Sequence, residues 1–220
     1  VADRWIVSRM NTVIKEVTLE LEAIHPHSAG RKLQDFWLND LSRTYIQFVR
    51  PRLAEGDKDA LFVLKKVYLT VLKLCAPIIP FVSESIYLEL RDKLGLKEES
   101  VHLCDWPKCD ESKIDLELEK DFDVAFGVIQ AVLAAREKAR IGVRWPLAKV
   151  TIVSPDNEVK SGVERLKGLI LRQVNIKQVE LVDKMKGVKV EASANMNAIG
   201  KSFKQNAKTI VAQLDDVKLN

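Results

Sequence analysis

Apolar residues recur at three- and four-residue steps along most of this sequence, the spacing that gives an α-helix one hydrophobic face. Trp5, Ile6, Met10, Val13, Ile14, Val17, Leu21 and Ile24 form the first such stripe, which starts with no disordered lead-in, as expected of a fragment of a longer protein. His25-Pro26-His27-Ser28 interrupts it, Pro26 ending one helix and Ser28 offering an N-cap to the next. The second stripe, Leu33, Phe36, Trp37, Leu41, Tyr45 and Phe48, is the richest in large rings, and the bundle is expected to be organised around it. Pro51 removes a backbone donor and disfavours α geometry at Arg50, so this helix is expected to stop there.

Asp57 is a good N-cap for a third helix, running through Leu61, Leu64, Val67, Tyr68, Val71, Leu72 and Cys75. Pro77 and Pro80 then predict a sharp break before a fourth helix, Ser83 to Leu94, which Gly95 stops. Residues 95–113 lack periodicity and read as a loop pinned to the bundle by Leu103 and Trp106. A long helix resumes at Ile114 and carries Leu118, Phe122, Ala125, Phe126, Ile129, Val132 and Leu133 to a basic end, Arg136-Glu137-Lys138-Ala139-Arg140.

Beyond Pro146 the pattern changes. Lys149–Val153 is a β-branched run ending in a Ser-Pro-Asp turn, Val159–Val174 is helical, and Val179–Leu181 and Val188–Val190 alternate like short strands. A last helix is expected from Asn197 to about Val217. The fold class is therefore mainly α: an antiparallel helical bundle over 1–147, followed by a small α/β domain over 148–220.

Composition narrows the function without naming it. A net charge of +4 and a pI near 8.9 permit an RNA or phosphate partner and do not demand one. Three cysteines, an odd number, speak against a disulfide framework and for a reducing, cytoplasmic setting. No apolar run reaches the ~20 residues that cross a bilayer. There is no phosphate-cradling glycine loop, no G-x-S-x-G and no H-E-x-x-H. His102, Cys104 and Cys109 lack both a Cys-x-x-Cys pair and a fourth ligand, and His25 and His27 lack a third, so no metal site and no catalytic residue is assigned.

What remains is a set of cations grouped at helix ends: Arg50 and Arg52, then Arg136, Lys138, Arg140 and Arg144, with Lys184, Lys186, Lys189, Lys201, Lys204 and Lys208 further on. Rings at Trp37, Tyr45, Trp106 and Trp145 are interleaved with them. Cations for phosphates with rings for unstacked bases is how proteins read single-stranded RNA loops. Two plainer readings compete with it. Cations also cap helix C-termini, and rings on a helical stripe also fill cores.

These stretches carry a family likeness. Asp3-Arg4-Trp5-Ile6, Asp40-Leu41-Ser42-Arg43-Thr44-Tyr45 and Arg50-Pro51-Arg52 resemble the anticodon-binding domain of class I aminoacyl-tRNA synthetases for branched aliphatic amino acids. Leu74-Cys75-Ala76-Pro77-Ile78-Ile79-Pro80-Phe81-Val82-Ser83-Glu84 is similar to the Pro-x-x-Pro-Phe-x-x-Glu block of that domain. Ser100 to Pro107, Arg136 to Leu147 and Asn195 to Phe203 resemble the isoleucine enzymes of archaeal and eukaryotic type, the valine enzymes being the nearest alternative. The resemblance implies a C-terminal portion that binds isoleucine tRNA by its anticodon stem-loop. A catalytic Rossmann domain, with the His-x-Gly-His and Lys-Met-Ser-Lys-Ser signatures, and an editing domain would belong to the same parent chain and are absent from this sequence. No cofactor is expected in this portion, since ATP and magnesium serve the catalytic one. Taken with the grouped cations and rings, this reading expects tRNA contacts from Arg43, Tyr45, Arg50, Arg52, Arg136, Lys138, Arg140, Arg144 and Trp145. A non-catalytic protein-interaction scaffold is the alternative of another class.

Overall fold

A computed structural model describes residues 1–184. The strand expected at Val188–Val190, the helix from Asn197, the Asn195–Phe203 block and the lysines from Lys186 onward lie outside the described residues. The chain divides into two compact units, Val1–Val150 with Asp156–Glu180, and Thr151–Pro155 with Leu181–Asn220.

In the first unit the helix at the centre is α1 (Ala2–Glu22), rather than the ring-rich second stripe. Its buried positions, Trp5, Ile6, Ser8, Met10, Asn11, Val13, Ile14 and Val17, extend over more than one face, and helices pack on several sides of it. Trp5 stacks on Phe122 of α6 (Leu116–Lys138) with ring centroids 4.5 Å apart and planes at 9°, and Phe48 and Phe126 complete the ring cluster. A buried polar hub crosses the same contact. Glu119 of α6 accepts hydrogen bonds from Ser8, from Thr12 Oγ1 at 2.9 Å and from Arg9 Nη1 at 3.0 Å, while Arg9 Nε reaches Asp40 at 3.0 Å. Burial pushes the Asp40 carboxyl up to about 6 in spite of that guanidinium.

The second stripe is one continuous rod in three parts: α2 (Pro26–Asp35), a π-helical segment Phe36–Tyr45, and α3 (Ile46–Ala54). In the π segment Ile46 N–H donates to Leu41 O and Thr44 Oγ1 to Asn39 O, each five residues back. Helix α3 runs through Pro51 to Ala54, three residues past the expected stop. Proline forfeits its own donor but not its acceptor: Pro51 O receives Glu55 N–H at 3.1 Å. Arg52 ties the last turn down by donating to both carboxylate oxygens of Asp3, at 3.0 and 2.8 Å, and from Nε to Asp57 at 2.8 Å.

Helices α4 (Lys58–Cys75) and α5 (Pro80–Leu94) flank the break that the two prolines predict, with Asp57 as N-cap and Gly95 at φ +63° as the stop. Leu72, Ala76, Tyr87 and Val101 form a second small core between them and the following loop. That loop is held at one of the two expected points. Trp106 Nε1 donates to Thr18 Oγ1 at 2.9 Å, but Leu103 is exposed, and the loop is fixed instead by Glu84, which accepts from Ser100 Oγ and Val101 N at 2.9 Å each.

After α6 come β1 (Leu147–Val153), α7 (Asn157–Val174) and β2 (Ile176–Val182). Leu147 N donates to Asn175 O and Ser154 N to Val182 O, a constant offset that makes the two-stranded sheet parallel, with α7 as the crossover. Val163, Leu166, Ile170 and Val174 bury the inner face of α7. The helix lies so close to α6 that a Cβ on Gly162 would stand 3.1 Å from Val124.

Candidate nucleic-acid interface

The end of α6 is where the sequence-predicted cations come together. Ile141 N–H donates to Arg136 O and Arg140 N–H to Glu137 O, both at 2.9 Å, a Schellman closure of the helix. Its left-handed position, usually glycine, is occupied by Arg140 at φ +56°. The chain then makes a tight turn, Trp145 N–H donating to Gly142 O at 3.1 Å.

Two side chains brace that turn. Arg136, only 3% exposed, donates from Nη2 to Gly142 O at 2.7 Å and to Trp145 O at 2.5 Å. Asn175, at the left-handed end of α7, donates from Nδ2 to Val143 O at 2.9 Å and Arg144 O at 3.2 Å. With its carbonyls held, the turn leaves Lys138, Arg140, Arg144 and Trp145 exposed, and the indole is 71% accessible. None of these three cations makes an ion pair among the described residues, and Glu137 is the only acid between Arg136 and Pro146. The buried Arg136 guanidinium adds to that positive field, because its Nε and Nη1 have no partner and no carboxylate pairs with it among the described residues.

The remaining predicted residues divide. Arg43 and Arg50 are exposed on the three-part rod, Arg43 touching only Asn39 Oδ1 at 3.1 Å and Arg50 in no ion pair among the described residues. Tyr45 and Arg52 are taken up by partners within the chain. Tyr45 is fully buried and its hydroxyl donates to Asp3 at 2.8 Å, so no ring face is open to a base. Arg52 spends its guanidinium on Asp3 and Asp57. Arg136 faces inward too, as a brace beneath the turn.

Among the described residues no group of three His, Cys, Asp or Glu side chains is arranged to hold a metal ion, and no helix is long and apolar enough to cross a membrane. Cys104 Sγ lies 3.6 Å from Tyr87 Oη, whereas Cys109 Sγ donates to Asn11 O at 3.4 Å.

Comparison with known proteins decides what this surface is part of. The profile of a family described as the anticodon-binding domain of tRNA ligase matches residues 3–152. The chain belongs to that family. Similar proteins include the isoleucine–tRNA ligases of Thermococcus kodakarensis, 39% identical, and Pyrococcus horikoshii, 38% identical, each over 97% of this chain and 20% of the relative. The isoleucine–tRNA ligase of Methanosarcina mazei is 38% identical over 98% of the chain and 21% of its own length. The chain thus spans about a fifth of the length of the curated relatives it matches. The family match covers the whole bundle and ends within β1, so the braced turn after α6 falls inside it.

Proposed function

We propose that the chain is the tRNA-gripping module of a cytoplasmic isoleucine–tRNA ligase, holding the anticodon stem-loop while a catalytic domain elsewhere in the parent protein uses ATP and magnesium to charge the acceptor end. The observation that carries this reading is the braced turn at 139–146, which together with Lys138 at the end of α6 presents three cations without ion-pair partners among the described residues and an exposed indole from a backbone fixed at four carbonyls. Phosphate contacts from Lys138, Arg140 and Arg144 would set register, and the Trp145 ring would receive an unstacked base. Arg43 and Arg50 extend the basic surface on the rod. A backbone fixed in advance lowers the ordering cost of binding, which suits recognition better than a solvated helix end does.

The test is titration of the chain with anticodon stem-loops of isoleucine and valine tRNAs at two salt concentrations. Arg140→Gly is the informative variant, because glycine relieves the left-handed strain and so keeps or raises stability while removing one phosphate contact. It and Arg144→Gln together are expected to lower the slope of log K against log salt by about 1.5, at roughly 0.7–0.9 per phosphate. Trp145→Ala is expected to weaken binding by about 1–3 kcal/mol with the melting point unchanged. A chain that binds neither stem-loop at either salt is a scaffold, and equal affinity for the two removes the isoleucine assignment from this region.

A further inference from the structure

A second basic site lies on a different part of the bundle, and nothing in the family likeness assigns it. Between α1, α4 and the segment 96–113 opens a cleft of about 370 Å³ lined by Lys66, Lys73, Lys108 and Lys113 over a floor that includes Met10, Ile14 and Leu69. Lys113 is paired with Asp110 at 2.8 Å. Lys66, Lys73 and Lys108 form no ion pair among the described residues, and Glu98 is the one other acid on the lining. Counting these groups, the cleft carries two positive charges in excess, in a half-enclosed place where water screens them less than on an open face.

The sequence of α4 is unusual in the same sense. It bears Lys58, Lys65, Lys66 and Lys73 against a single acid, Asp59, and shows Phe62 at 67% exposure one turn before Lys66. An exposed ring of that size, four residues from a cleft lysine, lies on the same helical face. From Lys66 to Lys73 is about 10 Å along the helix axis, so the two ammonium groups can meet separate phosphates of one strand.

We propose that this cleft is a second binding site for an RNA sugar-phosphate backbone, Lys66, Lys73 and Lys108 meeting phosphates of one strand and Phe62 closing the α4 end against a base or ribose. The proposal rests on the tRNA reading above, which it extends from one contact to two. A chain held at two separated points gains affinity through the effective concentration of the second contact, and it fixes the angle of the bound stem as one point does not.

Amine acylation of the unaltered chain, with and without isoleucine tRNA, tests it directly. Lys66, Lys73 and Lys108 are expected to lose most of their labelling when tRNA is present, with Lys93 of α5 as the internal reference. In parallel, the Lys66→Gln, Lys73→Gln, Lys108→Gln triple variant is expected to lower the salt slope by about two and raise the dissociation constant at least tenfold, at roughly 0.7 per single-strand phosphate. If the unaltered chain binds no tRNA, the functional reading fails and this site falls with it. If tRNA binding depends on Arg140 and Arg144 while the three lysines stay fully labelled and the triple variant binds as well as the parent, only the second site is overturned.

Discussion

Replacing Arg136 by methionine separates what this side chain does for the fold from what it does for the interface. The change removes two charge-assisted hydrogen bonds, to Gly142 O and Trp145 O, each worth about 1.5–3 kcal/mol. It also removes a buried cation whose Nε and Nη1 are unpartnered among the described residues, each costing about 1–3 kcal/mol. The two sides nearly cancel, so global stability is expected to change by no more than about 1–2 kcal/mol. The local effect does not cancel. Residues Gly142–Trp145 lose one of their two braces, and fixing a residue's backbone costs about 1 kcal/mol or more. With Asn175 still in place, about half of that four-residue ordering would fall on the binding step, close to 2 kcal/mol or a 30-fold weaker dissociation constant. Urea denaturation gives the first quantity, titration with tRNA the second, and amide exchange at Val143–Trp145 links them. Unchanged exchange together with a dissociation constant within twofold of the parent would refute the bracing role.

Two further outcomes follow from the core and the rod. The Asp40 carboxyl sits at about 6, above its ordinary 3.8, so the folded chain retains a proton that the unfolded chain has released. Its contribution is therefore fully present below about pH 3.8 and is lost as pH rises from there through 6. Relative to Asp40→Asn, the parent is expected to lose about 2–3 kcal/mol between pH 4 and 7.5 in urea melts, at 1.36 kcal/mol per unit of displacement, and parallel curves would contradict it. Arg52→Met is expected to cost about 1–2 kcal/mol of stability through its lost bonds to Asp3 and Asp57, with the salt slope of tRNA binding untouched; a lowered slope at full stability would return Arg52 to the interface.

The helices could be read from the sequence because each buries one face, and periodicity reports burial. The Pro77–Pro80 break and the Gly95 stop were equally legible, being matters of backbone donors and sign of φ. Pro51 misled because proline weakens a helix only locally, and Arg52 anchors the turn beyond it. Charge was the poorest guide. Arg136, Arg140 and Arg144 look alike in the sequence, yet one lies under the turn and the others on it, a distinction made by carbonyls that no pattern of side chains reveals. Tyr45 had the right chemistry for stacking and the wrong neighbour, Asp3. The cleft lysines were passed over for the converse reason: Lys66 and Lys73 sit in an amphipathic helix where lysine is the ordinary surface residue, and Lys108 joins them only through the fold.

The π-helical turns of Phe36–Tyr45 bear on how this region can vary. Phe36 and Leu41, five apart, are both 1% exposed, although five residues of ordinary α-helix would place them about 140° apart. The segment therefore holds one residue more per turn than an α-helix needs, and its inward set is defined by count rather than by side-chain type. Substitutions there are local events. Loss of a single residue would break the five-residue spacing that puts Phe36 and Leu41 on one inward face, and would force the segment to repack. Among descendants of this sequence, length in that stretch should prove more rigidly kept than composition.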